Sequence, residues 1–343
     1  MELRVESMKI LVTGANGFVG SHLCKYLVDR DEDVYAMVRE TSDLTLLKDL
    51  NPDLNGINLV YGDILQIETL KELFKGKDAI ISLAGMIRGV SMEDFDETNV
   101  DGNVNVCEAT LAVNPEVERL VLTSSAAAAG PSDGASGTCE DDDYEILDGD
   151  LYGGSKRKME QAVSPYFKKI PGLCIVRPPV VLGPGDMPSL DLYSLPKMGF
   201  KLVVGKDPHY YSIVAVQDLC SGIYEMVKNP KAKGETFYFA TGDPIEWGEL
   251  QDVIGRVVFD REKRLRNLRI PGKLAVAVGG INSFFGRLRK KAPFLSKTKM
   301  IEGCCSWACS DEKAKELLGW KSSYTIEKLV KEAGEWYKEH GYL

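Results

Sequence analysis

Near the start of the chain stands Thr13-Gly14-Ala15-Asn16-Gly17-Phe18-Val19-Gly20. The apolar run Lys9-Ile10-Leu11-Val12 precedes this glycine-rich stretch and an amphipathic pattern follows it, which predicts a turn from a first strand into a first helix. Gly14 permits a tight turn, Gly17 lets a phosphate approach the backbone, and Gly20 lets the helix pack closely on the strand. Free N–H groups at the helix start would stabilise phosphate charge. The stretch therefore predicts a nucleotide-binding fold.

Strand-like runs alternate with helical patterns through the first half of the chain. This alternation predicts a parallel sheet with crossover helices, which is the Rossmann-type, doubly wound α/β fold. The predicted strands cover residues 9–12, 33–38, 57–61, 79–83, 120–123 and 173–176. The predicted helices cover residues 21–29, 67–74, 99–112 and 155–167.

The pattern loosens after Arg177, where Gly and Pro residues punctuate a less regular remainder. We predict that residues 1–180 form the dinucleotide-binding domain, and that residues 213–240 return to its sheet as a helix and a strand. Residues 181–212 and 241–343 then form a smaller C-terminal substrate-binding region.

Two groups of side chains are candidates for chemistry. Tyr152 and Lys156 are four residues apart, so a helix puts both on one face. A free tyrosine titrates near pH ~10, and an adjacent ammonium would favour the phenolate that a proton acceptor requires. Ser124 and Ser125 follow the predicted strand 120–123, where ligands meet the carboxyl ends of parallel strands. One of these serines would bind the substrate oxygen, the alternative being a serine pair that caps a turn.

The Gly-x-x-Gly-x-x-Gly spacing and the Tyr-x-x-x-Lys pair together resemble the extended short-chain dehydrogenase/reductases, also called the NAD-dependent epimerase/dehydratase family. The resemblance implies hydride transfer between a nicotinamide cofactor and a carbon that bears oxygen. It also implies that Ser125, Tyr152 and Lys156 are catalytic and that Ser124 is the cofactor-side neighbour of Ser125. The alternative assignment exchanges the two serines.

The resemblance implies further cofactor contacts along the chain. Asp63 matches the aspartate that contacts adenine, and segment 83–85 matches the turn that passes the adenosine ribose and phosphates. Segment 178–181 matches the segment that closes over nicotinamide, and Asn99 matches a structural asparagine. The predicted cofactor-binding residues are Gly14, Asn16, Gly17, Phe18, Val19, Gly20, Arg39, Asp63, Ile64, Leu83, Ala84, Gly85, Ser124, Tyr152, Lys156, Pro178 and Val181.

The end of the second predicted strand bears on the choice of cofactor. Arg39 stands there, where NAD-preferring members of the family usually carry an acid. A guanidinium makes charge-assisted hydrogen bonds to phosphate, so we predict a preference for NADP over NAD. The neighbouring Glu40 favours the opposite choice, and an ordinary surface arginine is the remaining alternative.

Two substrate classes compete within this family. Sugar-nucleotide epimerases and dehydratases commonly carry an arginine at the position of Tyr211, where it would grip a diphosphate. Val38-Arg39 and the apolar and then basic stretch 274–291 resemble dihydroflavonol reductases and 3β-hydroxysteroid dehydrogenases. We therefore predict a ketone reductase or alcohol dehydrogenase for a small, fairly apolar substrate, with a sugar-nucleotide epimerase/dehydratase as the alternative. An inactive cofactor sensor is disfavoured because the catalytic side chains are all present.

The composition of the chain limits the kinds of partner that the protein can bind. A net charge of −9 argues against nonspecific nucleic-acid binding, which requires a basic face. The eight cysteines lack metal-site spacing, so we predict reduced thiols and no metal, with Cys304, Cys305 and Cys309 as small packed side chains. The apolar stretch 274–285 is too short for a transmembrane segment, although its basic flank leaves surface attachment to a membrane as an alternative. We predict a cytoplasmic protein and a homodimer, which is common in this family.

Overall fold

The computed structural model describes residues 7–89, 91–142, 144–205, 208–277, 279–280 and 297–343. Its main feature is a seven-stranded sheet in the order β11-β6-β5-β4-β1-β2-β3, in which all the paired strands are parallel. The strands are β1 (Lys9–Thr13), β2 (Asp33–Val38), β3 (Ile57–Tyr61), β4 (Ala79–Ser82), β5 (Arg119–Thr123), β6 (Leu173–Val176) and β11 (Thr236–Phe237). The predicted Rossmann-type fold is confirmed.

The order of the strands reverses at β1. This strand pairs with β2 on one side and with β4 on the other, and the chain winds outward in both directions. In such sheets a crevice opens at the carboxyl ends of the two strands beside the reversal, and ligands bind there. On the far edge, Thr236 of β11 pairs with Ile175 of β6, so the chain does return to the sheet after residue 213. The predicted limits of the two regions stay a prediction.

Helices cover both faces of the sheet. One face carries α1 (Phe18–Val28) and α8 (Val216–Lys228), and the other carries α3 (Ile67–Phe74), α5 (Gly102–Val113) and α6 (Leu151–Val163). Ile10 and Val12 of β1 belong to the first core, whereas Leu11 belongs to the second. Burial on both faces explains why the strands are continuous apolar runs rather than alternating ones.

Several predicted helix limits differ from the structure; α1, for instance, begins at Phe18 rather than at residue 21. α6 begins at Leu151 rather than at residue 155, because the Asp150 carboxylate accepts a 2.8 Å hydrogen bond from the Gly153 N–H and caps the helix. Lys156 consequently lies in the second turn, not the first. The predicted helix 99–112 is α-helical only from Gly102, since Asp96–Asp101 form a wider π-helical turn.

The rest of the chain builds a smaller unit from three two-stranded sheets. β7 (Val180–Leu182) pairs with β10 (Ile213–Ala215), β9 (Tyr210–Tyr211) with β12 (Ile245–Glu246), and β8 (Phe200–Val204) with β13 (Arg266–Ile270). A third core joins α7 (Asp191–Met198), α9 (Trp247–Phe259) and the helix Ile326–Glu339. The other helices include α2 (Thr45–Leu50), α4 (Met92–Phe95), Lys297–Glu302 and Glu312–Leu318.

The apolar stretch 274–285 is only partly covered. Residues 272–277 are helical, and 281–285 lie outside the described residues. Throughout the described parts of the chain, every helix is too short or too polar to cross a membrane. In those same parts, His, Cys, Asp and Glu residues form no cluster suited to a metal ion, and all eight cysteines are free thiols.

Candidate active site

The glycine-rich stretch forms the first wall of the crevice. Gly14 has a φ of +64°, and a Cβ there would lie 2.8 Å from the backbone nitrogen of Ala84. A Cβ on Gly20 would lie 2.2 Å from the carbonyl oxygen of Gly14, so the helix could not approach the strand with a larger residue. Gly17 is the N-cap of α1. The first N–H groups of a helix have no partner within it, so this turn offers donors to an anion.

A buried chain of polar groups holds the loop after β4 beside this turn. The Thr13 hydroxyl accepts a 3.1 Å hydrogen bond from the Ala84 N–H and lies 3.4 Å from the Ser82 hydroxyl. The Ser82 hydroxyl donates in turn to Asn103 Oδ1 at 3.0 Å. The sequence reasoning missed these three side chains, although Thr13 and Ser82 stand at the ends of neighbouring strands. These hydrogen bonds hold segment 83–85 in place, and this is the segment that we predict to contact the cofactor ribose.

Asn99 joins the same loop to the helix that carries Tyr152. Its amide accepts from the Met86 N–H at 2.7 Å and donates to the Met86 carbonyl at 3.0 Å. It also donates to the Ser155 hydroxyl at 2.9 Å, and this hydroxyl donates to the Tyr152 carbonyl at 2.8 Å. The side chain is fully buried. Such a network agrees with the structural role that the resemblance implies for Asn99.

Lys156 is buried at the centre of the site. Its ammonium donates a 2.8 Å hydrogen bond to the carbonyl oxygen of Thr123, the last residue of β5. A Cβ on Gly85 would lie 3.3 Å from this ammonium, so the lysine also borders segment 83–85. Burial lowers the pKa of Lys156 to about 8, and the negative charge of Glu160 opposes that shift.

The Tyr152 phenol lies near the Ser125 hydroxyl. Burial raises the pKa of the phenol above its ordinary value, the Ser125 hydroxyl opposes this, and the negative charge of Asp150 adds to it. The lowering of this pKa by Lys156 stays a prediction, because the groups that shift it here are the surroundings that bury the phenol, Ser125 and Asp150. The phenol loses water on burial, and the ammonium of Lys156 is engaged by the Thr123 carbonyl.

The two serines have different surroundings. The Ser125 hydroxyl accepts a 3.2 Å hydrogen bond from the Ala127 N–H and caps the short 3₁₀ helix Ala126–Ala129. The Ser124 hydroxyl is buried and has no hydrogen-bond partner among the described residues. Its backbone N–H donates to the Val176 carbonyl at 2.8 Å, which anchors the residue to β6. Of the two serines, only Ser125 shifts the pKa of Tyr152, which agrees with the predicted catalytic role of Ser125.

The predicted adenosine end is built on the loops after β2 and β3. Arg39 and Glu40 are exposed directly after β2, and the Arg39 N–H donates to the Ser42 hydroxyl at 3.0 Å. Asn16 of the glycine-rich stretch donates to the Asp43 carbonyl at 3.1 Å, so this loop is tied to the phosphate turn. After β3, the Asp63 carboxylate accepts a 3.0 Å hydrogen bond from the Leu65 N–H.

Hydrophobic contacts support both ends of the predicted cofactor site. Ile64 is buried against Gly102, where a Cβ would lie 2.5 Å from its Cδ1, and half-buried Val19 packs on the core beneath α1. At the other end, the Pro178 carbonyl accepts from the Ala126 N–H at 2.9 Å, and Val181 pairs with Val214. A Cβ on Gly183 would lie 3.5 Å from the Phe18 ring. Segment 178–183 therefore runs from the Ser125 turn to the start of α1.

These elements define an enzyme fold in which a nucleotide turn and a Ser-Tyr-Lys group lie at the carboxyl ends of strands in one sheet, which is the arrangement of the short-chain dehydrogenase/reductases. The model of the NAD dependent epimerase/dehydratase family matches residues 10–239, and the chain belongs to this family. It is an NAD(P)-dependent oxidoreductase of the extended type.

Relatives with known activities span nearly the whole chain. The ceramide reductase of Caulobacter vibrioides is 26% identical over 335 residues, which cover 97% of this chain and 96% of the relative. The 2-alkyl-3-oxoalkanoate reductase of Shewanella oneidensis is 24% identical over 344 residues, covering 93% and 84% respectively. The dTDP-glucose 4,6-dehydratase of Bacillus anthracis, solved in complex with NAD, has the same fold with a TM-score of 0.74, 20% identity and 97% coverage of both chains.

Proposed function

We propose that the protein transfers a hydride between NADP and the ketone or secondary alcohol carbon of a small apolar substrate, with Tyr152 as the proton-transferring group. The observation that carries this proposal is that Ser125, Tyr152 and Lys156 converge on the end of β5: the Ser125 hydroxyl lowers the pKa of the Tyr152 phenol, and the buried ammonium of Lys156 donates to the Thr123 carbonyl. It places a hydroxyl, a phenol and a cation at the carboxyl ends of the strands, where this fold binds its ligands.

The residues of the crevice fit a dinucleotide. Gly14, Gly17 and Gly20 leave a cradle that side chains would fill, and the Ser124 hydroxyl is a buried polar group that still lacks a partner. The glycine-rich turn would hold the pyrophosphate, and Lys156 would hold the nicotinamide ribose. When bound, the nicotinamide supplies or accepts the hydride.

The chain itself supplies the proton. Because burial raises the pKa of Tyr152, its phenol is protonated at neutral pH and can donate to the oxygen of a ketone that is being reduced. Ser125 would orient that oxygen through a second hydrogen bond. Lys156 would then stabilise the negative charge that remains on the tyrosine.

The substrate class follows from Tyr211 and from the relatives. The Tyr211 ring packs on Trp247 with 4.9 Å between centroids, and its hydroxyl donates to the Glu302 carbonyl at 3.4 Å. This position therefore offers no cation to a sugar diphosphate. The names of the ceramide reductase and of the 2-alkyl-3-oxoalkanoate reductase point to substrates with aliphatic chains. We propose a ketone within or beside an aliphatic chain.

A substrate screen tests the proposal. Aliphatic 3-oxo esters of increasing chain length are offered with NADPH or NADH, and the loss of reduced nicotinamide is followed by absorbance. Turnover that improves with chain length is expected. In parallel, calorimetry with UDP and dTDP on protein loaded with NADP should show millimolar binding at best. Micromolar binding of either nucleotide, together with inert ketones, would favour the sugar-nucleotide epimerase/dehydratase instead.

A cytoplasmic homodimer also stays a prediction. The eight free thiols are compatible with a reducing compartment. Light scattering on the purified protein measures its oligomeric state, and a monomer at all concentrations would contradict the prediction of a dimer.

A further inference from the structure

Positive charge is concentrated in one segment of this acidic protein. Of the 42 Lys and Arg residues, twelve lie in residues 261–300, whereas only one of the 51 acids, Glu262, lies there. The net charge of −9 conceals this concentration. A strongly basic segment on an otherwise acidic chain is a candidate surface for an anionic partner.

The described part of this segment includes a strand whose outer edge pairs with no other strand among the described residues. β13 pairs with β8 in a sheet of two strands. The opposite edge of β8 is closed, because the Gln251 side chain accepts from the Leu202 N–H at 2.8 Å and donates to the Leu202 carbonyl at 3.0 Å. Every residue of β13 except Ile270 is exposed. We call residues 264–274 the basic edge.

Four cations of the basic edge are exposed, and one of them, Arg264, lines a surface pocket that Glu249, Asp252 and Glu262 also line. None of them forms an ion pair with another described residue. These cations are Arg264, Arg266, Arg269 and Lys273. Near a membrane that contains anionic lipid, each such residue increases the affinity by about fivefold.

Apolar side chains stand exposed among these cations. Leu268 is 41% exposed and Leu274 is 56% exposed. In the sequence, no charge follows Lys273 until Arg287. Cations that merely protect an edge strand from pairing would not require exposed leucines beside them. A membrane interface takes both kinds of side chain, since headgroups attract the cations and the acyl boundary accepts the leucines.

We propose that the basic edge docks the protein on anionic phospholipid surfaces. This is peripheral attachment through residues 264–274. It goes beyond the enzymatic proposal and does not depend on it, because binding to vesicles is measured without any substrate or turnover.

Vesicle flotation tests the proposal. The protein is mixed with vesicles of phosphatidylcholine alone or of phosphatidylcholine with phosphatidylglycerol. It should float only with the anionic vesicles, and high salt should release it. The variant Arg266→Glu, Arg269→Glu, Lys273→Glu should lose at least about fivefold in affinity for each cation removed. The matched control, Lys168→Glu, Lys231→Glu, Lys233→Glu, reverses three exposed lysines elsewhere and should lose much less.

A second pair of measurements separates lipid from other anions. Leu274→Asn should weaken flotation while leaving the binding of a fluorescent DNA duplex unchanged. The proposal is overturned if wild-type protein ignores anionic vesicles, if both triple variants lose affinity equally, or if DNA binds more tightly than the vesicles. Thermal unfolding of each variant checks that it is folded. If a variant unfolds, the salt dependence of vesicle flotation by the wild-type protein still tests the proposal.

Discussion

The ammonium nitrogen of Lys156 lies 2.8 Å from the carbonyl oxygen of Thr123. This hydrogen bond ties the helix that carries Tyr152 to the strand that ends at Ser124 and Ser125. It satisfies a charge that is almost fully buried, at 4% exposure. The contact thus aligns the three groups to which we assign chemistry, at the cost of removing an ammonium from water.

That cost should appear as a pH dependence of stability. Burial lowers the pKa of Lys156 from 10.5 to about 8. Between these pH values the unfolded chain binds the proton and the folded chain does not, so the free energy of unfolding rises with pH. Relative to Lys156→Met, the wild-type protein should gain at most about 3 kcal/mol across this window.

Urea unfolding at several pH values measures this difference. Lys168→Met, which removes an exposed lysine, serves as the control and should run parallel to the wild type. A wild-type curve that also runs parallel to that of Lys156→Met would show that Lys156 is not protonated differently in the two states.

The adjacent serines allow a matched comparison. Ser125→Ala removes the hydroxyl that lowers the pKa of the Tyr152 phenol, so turnover should fall by roughly tenfold or more. Ser124→Ala removes a hydroxyl without a partner among the described residues and should leave the rate constant of the chemical step nearly unchanged. Single-turnover kinetics with an identified substrate distinguishes the two. The reverse ranking would show that the serines exchange roles.

Arg39 should select the cofactor. It is exposed directly after β2, on a loop that Asn16 ties to the glycine-rich turn. Arg39→Ala should weaken NADP binding by about 1–3 kcal/mol, the range for a lost charge-assisted hydrogen bond, and change NAD binding much less. Glu40→Gln is the control and should not weaken NADP. Calorimetry that finds an equal loss for both cofactors would remove Arg39 from this role.

The two reaction directions should respond differently to pH. Because the pKa of Tyr152 is raised, its phenol carries a proton throughout the range below the pKa of Lys156, which is about 8. Reduction uses that proton and should be flat with pH in this range. Alcohol oxidation requires the phenolate, so its rate should rise by up to about tenfold per pH unit. Initial rates in both directions, with saturating cofactor, provide the check, and a flat profile for oxidation would contradict it.

The fold could be predicted correctly because the sequence signals that indicate it are local. The apolar runs and the glycine spacing describe contacts within a few residues, and the strands of the main sheet lie where those runs predict them. The limits of α6 were missed because they depend on Asp150, whose carboxylate caps the helix. A cap is visible in a sequence only when the position of the first helical residue is already known.

The site was predictable as a set of residues but not as a network. The Tyr-x-x-x-Lys spacing identifies Tyr152 and Lys156, yet the carbonyl partner of Lys156 comes from a strand 33 residues earlier. For the same reason, the sequence did not show that burial raises the pKa of Tyr152. Desolvation depends on everything packed around a side chain, whereas spacing describes only one neighbour.

Tyr152→Phe tests the central claim most directly. The substitution keeps the ring and removes the transferable proton, so the protein should still bind NADP while turnover of an identified ketone falls by roughly 100- to 10,000-fold. Both quantities are measured on the same preparation, by calorimetry and by loss of reduced nicotinamide. Turnover of that ketone at the wild-type rate, with NADP binding intact, would contradict the assignment of proton transfer to Tyr152.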